Sequence, residues 1–228
     1  MKPKNLKCPF TWETRRPILT EGVLFVPQYY QSHAEWGVVN FEDPNVFKRS
    51  CPVVVEYCSG NGAWIIEKAQ QHPEWNWVAV EKRFDRVRKI WSKARNLKLD
   101  NLLVVCGEAL EFTRFYLPSE CFSSAYINFP DPWPKEKHAK HRIFQESFIS
   151  EMSRVVRKEG IATVVTDDPI WAERISEAMQ KNPQWRSQFP EPYFVTEWPD
   201  YGSSYFNDLW LEKGRTIHYM QFINKTPS

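Results

Sequence analysis

The chain has 228 residues, 42% of them hydrophobic, and a formal net charge of +2. That is enough apolar material for one sizeable core and too little global charge to draw in a polyanion except through local patches. Five cysteines, Cys8, Cys51, Cys58, Cys106 and Cys121, with no CxxC pair argue against a disulfide framework or a zinc ribbon, and no metal is expected.

The basic start, Met1-Lys2-Pro3-Lys4, is followed by no apolar segment, and no apolar run reaches the roughly 18 residues of a membrane span. A soluble, unexported protein of a reducing cytoplasm, with no membrane partner, is the expectation. Residues 1–48 carry Pro3, Pro9, Pro17, Pro27 and Pro44 among many aromatics, with short apolar runs such as Val23-Leu24-Phe25-Val26, and read as an extended arm packed on the main body. Residues 49–228 read as a single domain.

From Pro52 the pattern becomes regular. Val53-Val54-Val55 is a β-branched run that leads through Glu56-Tyr57-Cys58-Ser59-Gly60-Asn61-Gly62 into the apolar-periodic stretch Ala63 to Gln71, which predicts strand, tight turn and helix. Trp77 to Val80 predicts a second strand ending in Glu81, followed by a basic amphipathic helix from about Phe84 to Asn96. A third strand, Leu102 to Cys106, ends at Gly107-Glu108 before a short helix from about Ala109 to Tyr116. The fourth strand is Ser124 to Asn128. Ile143, Phe144, Phe148, Ile149, Met152, Val155 and Val156 recur at helical spacing, and Lys158-Glu159-Gly160 reads as the basic last turn and closing glycine of that helix. Ile161 to Val165 predicts the fifth strand, and a helix runs from Pro169 to about Lys181. Two more strands are expected near Tyr193 to Thr196 and Thr216 to Phe222. Strands alternating with helices imply an α/β fold, a mostly parallel sheet with helices on both faces and an antiparallel C-terminal edge.

In such sheets ligands bind beyond the carboxyl ends of the strands. Glu56, Glu81, Glu108, Asp131 and Asp167 stand at five successive strand ends. One acid there is commonly a helix cap, but five along one rim favour a site. Gly60 and Gly62 let the backbone approach a nucleotide-like ligand, and Glu81, 21 residues after Gly60, is placed to accept ribose hydroxyls. A pyrophosphate dinucleotide calls for a third small residue where Ile65 stands, and acids repel phosphates. S-adenosylmethionine fits better: a ribose for Glu81, an adenine near Glu108, and a cationic sulfonium and amino group for Glu56 and Asp131.

Asn128-Phe129-Pro130-Asp131-Pro132-Trp133-Pro134-Lys135 follows the fourth strand, and Lys137, His138, Lys140, His141 and Arg142 follow it. Three prolines stiffen the loop and bias Phe129, Asp131 and Trp133 toward extended geometry. Either feature alone is ordinarily a turn or a solvated face; together they suit a site that grips a flat polyanion.

These blocks, with Val80-Glu81 and Gly107-Glu108-Ala109, resemble the bacterial tRNA (guanine-N7)-methyltransferase family over about Val53 to Phe222. The resemblance implies a Rossmann-like class I methyltransferase fold, S-adenosylmethionine as cofactor, and tRNA as partner, with guanine(46) of the variable loop as target, in a monomer or homodimer. It places cofactor contacts on Glu56, Glu81, Glu108 and Asp131, catalysis on Asp131, substrate contacts on Lys135 and Asp167, and the tRNA backbone on Lys137, Lys140 and Arg142. The family's T-x-[YF]-E motif corresponds to Ser204-Tyr205-Phe206-Asn207, departing at Ser204 and Asn207. Cys58 stands where the family usually has Gly, and Glu108 where it usually has Asp. The rival readings are a methyltransferase acting on an exocyclic amine and an RNA-binding module with a vestigial cofactor site.

Overall fold

Short β-branched runs alternating with amphipathic segments set the architecture. A computed structural model describes residues 1–133, 142–201 and 205–225, and the chain divides into two units, Met1–Pro118 and Ser119–Ser228.

In the first unit β1 (Ile18–Thr20) and β2 (Val23–Phe25) form a hairpin in the arm. They are followed by a short helix α1 (His33–Trp36), then β3 (Val53–Tyr57), α2 (Ala63–Gln71), β4 (Asn76–Glu81), α3 (Phe84–Asn96), β5 (Leu102–Cys106) and α4 (Ala109–Tyr116). The strand order is β1-β2-β5-β4-β3, parallel except for the first pair. Every residue of β3 and β4 is buried, as a parallel sheet requires of its apolar strands. Helix α3 buries Val87, Ile90, Trp91 and Ala94, one apolar stripe at helical spacing. The arm does more than pack on this unit. The hairpin turns at Glu21 and Gly22, both at positive φ as a two-residue turn between twisted strands demands, and β2 pairs in parallel with β5, Leu24 opposite Val105.

The second unit contains β6 (Phe122–Asn128), α5 (Glu146–Val155), β7 (Val156–Thr166), α6 (Pro169–Lys181), β8 (Trp185–Ser187), α7 (Tyr205–Glu212) and β9 (His218–Asn224). Its order is β6-β7-β9-β8, with β6 and β7 parallel and the other pairs antiparallel. The predicted helix closure at Lys158-Glu159-Gly160 is wrong: α5 ends at Val155, and these residues lie inside β7. The register jumps there from Phe122 opposite Val156 to Ser124 opposite Ile161, so Gly160 marks a bulge rather than a helix end. The strand expected at Tyr193 to Thr196 is reduced to a single bridge, Val195 with Tyr219. Tyr193, at positive φ, turns its amide back to Pro190 O, which breaks the extended path, and β8, anchored by Trp185 at 1% exposure, takes the edge.

Trp64, Trp77, Trp91, Trp171 and Trp185 are all buried, so much of the tryptophan content is core. Among the described residues no helix is long and apolar enough to cross a membrane.

A Cβ at Gly160 would lie 2.8 Å from both the Arg157 and Ser123 carbonyl oxygens, contacts that no rotamer change relieves. Gly160→Ala is expected to lower unfolding free energy by about 1–3 kcal/mol, read as a shift in the denaturant midpoint at unchanged m-value.

Candidate active site

The turn after β3 is held by bonds within itself and one to β4. Ser59 N–H donates to Val80 O at 3.0 Å, Gly62 N–H to Ser59 O at 2.8 Å, and the Ser59 hydroxyl to Glu56 O at 2.9 Å. Cys58, Gly60 and Gly62 all lie at positive φ, 61°, 57° and 69°. Cys58 is the one of the three with a side chain to strain. The two glycines differ in what they allow. A Cβ on Gly62 would meet Ile90 Cγ1 at 2.6 Å, so Gly62 lets α3 pack close. A Cβ on Gly60 would meet nothing nearer than 3.9 Å, so the space above Gly60 is open.

Glu81 ends β4 and is only 5% exposed. Its Oε2 accepts from Gly60 N–H at 2.9 Å and its Oε1 from Arg83 N–H at 2.8 Å, while Arg86 stands 3.7 Å away. Each oxygen keeps acceptor capacity beyond its backbone bond, so the carboxylate is fixed in place and still able to receive a pair of hydroxyls. Glu56 is buried within β3 at 3% exposure. Glu108 caps α4, accepting Glu111 N–H at 2.8 Å. It also lines an open hollow of about 280 Å³ with Tyr29, Tyr30, His33, Glu111 and Phe115. Burial, and then the neighbouring Glu108 carboxylate, push the Glu111 carboxyl up. Sequence reasoning missed this contribution of the arm, because residues 29 and 108 are remote in the chain.

In the second unit, Asp131 is exposed and Phe129 and Trp133 flank it half-buried. The extended geometry predicted for Phe129 and Trp133 is not found: their φ values are 50° and 44°, unusual for bulky residues and doubly so before proline. The fold supplies the constraint, since Phe129 N–H donates to Val165 O at 2.8 Å. Arg142 Nε and Nη2 donate to Trp133 O at 3.2 and 3.0 Å, and its guanidinium lies 5.8 Å from the Trp171 ring centroid. Arg142 therefore braces the loop. Asp167 pairs with Arg215, whose guanidinium covers the Trp210 ring at 4.0 Å. Asn207 is buried and accepts the Tyr219 hydroxyl at 2.7 Å. Tyr201, which sequence reasoning also passed over, donates to Asn128 Oδ1 at 3.0 Å just ahead of the loop. Lys135, Lys137, Lys140 and Ser204 lie outside the described residues, and of Tyr205 and Phe206 only the backbone is described, in α7.

A family model described as "Putative methyltransferase" matches residues 50–220. The tRNA (guanine-N(7)-)-methyltransferase of Chlamydia caviae is 43% identical over 225 residues, 99% of each chain, and that of Chlamydia muridarum is 44% identical with the same coverage. The chain belongs to this methyltransferase family. Among solved structures it is similar to the 16S rRNA methyltransferase KamB, with a TM-score of 0.61 at 14% identity over 83% of this chain and 95% of that one. A SAM-dependent methyltransferase from Aquifex aeolicus gives 0.55 at 12% identity, over 76% and 82%. At such identities the likeness is one of fold, and that fold is the α/β class I methyltransferase architecture.

The methyltransferase's cysteines differ in reactivity. Cys8 and Cys58 are exposed, whereas burial pushes the Cys106 and Cys121 thiols up to about 12, leaving almost no nucleophilic thiolate near neutrality. Iodoacetamide at pH 8 is expected to modify Cys8 and Cys58 in the folded protein and to reach Cys106 and Cys121 only after denaturation, as read by peptide mass spectrometry.

Proposed function

We propose that this chain transfers the methyl group of S-adenosylmethionine to N7 of a guanine in tRNA, in the cytoplasm. The observation that carries the proposal is the likeness to tRNA (guanine-N(7)-)-methyltransferases over 99% of both chains. The cofactor fits the residues present. Glu81 offers a fixed, buried double acceptor for ribose hydroxyls, Gly60 leaves room for close approach, and the carboxylates suit a cationic ligand without phosphates. Glu56 is assigned to its amino end and Glu108 to its adenine end.

The cofactor supplies an electrophilic methyl group on a sulfonium. Guanine N7 is a hydrogen-bond acceptor with an available lone pair, so no base need remove a proton from it. The protein's task is alignment, and positioning of this kind is worth roughly 7–11 kcal/mol of barrier. Asp131 accepts hydrogen bonds from guanine N1–H and the N2 amine, sets the direction of N7, and offsets the positive charge that develops on the ring. Pro130, Pro132 and the Arg142 brace keep its backbone from drifting. Lys135, Lys137 and Lys140 contact tRNA phosphates, while Asp167 with the Ser204 to Asn207 segment serves the substrate side.

Asp131→Asn is expected to cut kcat by about a hundredfold or more while leaving cofactor affinity within about twofold. Glu81→Ala is expected to weaken cofactor binding by at least about tenfold, the scale of hydrogen bonds to a charged group. Labelled methyl transfer with nucleoside analysis, paired with cofactor titration calorimetry, separates the two. Equal loss of turnover and cofactor affinity in Asp131→Asn would overturn its assignment.

A further inference from the structure

The arm's first residues form a second cationic surface on the first unit, away from the loop after β6 in sequence. A 3₁₀ turn, Pro3–Asn5, lies along α3. Three side chains of α3 one helical turn apart, Arg88, Ser92 and Asn96, hold it by main-chain carbonyls: Arg88 Nε to Leu6 O at 3.0 Å, Ser92 Oγ to Met1 O at 2.6 Å and Asn96 Nδ2 to Met1 O at 3.1 Å. Leu6 is buried at 1% exposure and nails the segment down. With 3.6 residues per turn, the row 88-92-96 has Lys89 and Lys93 beside it on one side and Arg95 on the other. The exposed Lys2, Lys4 and Lys7 of the arm are thereby set on a fixed backbone among the cations of the helix.

Charge balance supports a working surface. The carboxylates of α3 and its C-terminal flank are already paired, Asp85 with Arg83 at 3.1 Å and Asp100 with Arg49 at 3.4 Å. Lys93 is lowered from the usual lysine range by burial and then by the charge of Lys89, a crowding of like charge that an anionic ligand relieves. Lys93 Nζ also donates to Asn61 O at 3.1 Å, so the strip runs up to the turn that carries Gly60. Helix α3 is about 20 Å long, enough to follow several phosphates of one strand.

We propose that Lys2, Lys4 and Lys7, clamped on α3 beside Lys89, Lys93 and Arg95, form an RNA-phosphate-binding strip that holds the body of the tRNA while a guanine reacts. RNA is favoured over an anionic membrane because the cations stand on a pinned backbone with scattered apolar neighbours, Met1 and Leu97, instead of opposite a broad apolar face. The inference rests on the tRNA reading above and adds a binding surface to it.

The test compares the full chain with Lys2→Ala/Lys4→Ala/Lys7→Ala, and separately with Ser92→Ala/Asn96→Ala, which keeps every cation but releases the arm. Binding to an unmodified tRNA transcript is measured from about 50 to 200 mM salt. Losing three phosphate contacts should make the log–log slope shallower by about 2–3 and weaken binding at the lower salt by tenfold or more, since each contact contributes roughly 0.7–0.9 to the slope. The arm-release variant should also weaken binding, with cofactor affinity unaltered in both. An unchanged slope and affinity in the triple variant, with wild type still methylating the transcript, would overturn the strip while sparing the activity. So would loss of binding to phosphatidylglycerol vesicles with tRNA binding intact. Absence of methyl transfer by wild type would instead strike the functional reading itself.

Discussion

Two backbone amides end on one buried carboxylate, and much of the geometry around the turn after β3 depends on it. A carboxylate at 5% exposure is tolerable only when hydrogen-bonded, and Glu81 meets that condition with Gly60 N–H and Arg83 N–H. The first bond ties the turn after β3 to the end of β4, and the second fixes where α3 begins. Cys58, Gly60 and Gly62 at positive φ are the local consequence, because a turn tight enough to aim Gly60 at Glu81 leaves no other backbone path. Gly62 adds a packing condition of its own, since Ile90 occupies the space a side chain would need. The acceptor pair is thereby stationary, and on the proposed reading little ordering would remain to oppose cofactor binding.

The loop after β6 is built on the opposite principle, a costly conformation held by its surroundings. Phe129 and Trp133 at positive φ before prolines each store strain of order 1–3 kcal/mol. The structure offsets it with the Phe129 to Val165 bond and with the Arg142 donors on Trp133 O. A guanidinium spent on carbonyls is less available to phosphates, so what the structure gives Arg142 is a part in shaping the loop that carries Asp131. Strain concentrated at an exposed acid is intelligible if that acid must keep its direction while a base is pressed against it.

Local patterns were legible in the sequence for the helices, while strands were found in place with different ends, as at β6, which begins at Phe122, and β7, which begins at Val156. The bounds of α2, α3 and α4 coincide with the apolar periodicity and its end signals. What escaped depended on contacts remote in the chain. The bulge at Gly160 lies against Ser123 O of the neighbouring strand, 2.8 Å from where a Cβ would stand, and sequence spacing alone made the same glycine look like a helix end. The preference of residues before proline is a local rule, and at Phe129 a bond from β7 overrides it. At the site, the acids were identifiable by their places at strand ends, but the partner of each was not: Glu108 caps a helix, Asp167 meets Arg215 from 48 positions away, and the arm's seat on α3 left only isolated lysines as a trace.

The departure at Asn207 shows how burial decides which residue type a position accepts. Asn207 is 4% exposed, and the Tyr219 hydroxyl donates to its Oδ1; burial pushes that hydroxyl up, so it remains a proton donor at neutral pH. The amide satisfies the tyrosine without bringing a charge into the second unit's core, where an ionised carboxylate would carry a desolvation penalty of several kcal/mol. Asp208, one residue on along α7, is exposed, and a carboxylate there keeps its hydration. A buried amide with a solvated acid beside it is thus a cheaper arrangement for holding Tyr219 than a buried acid would be.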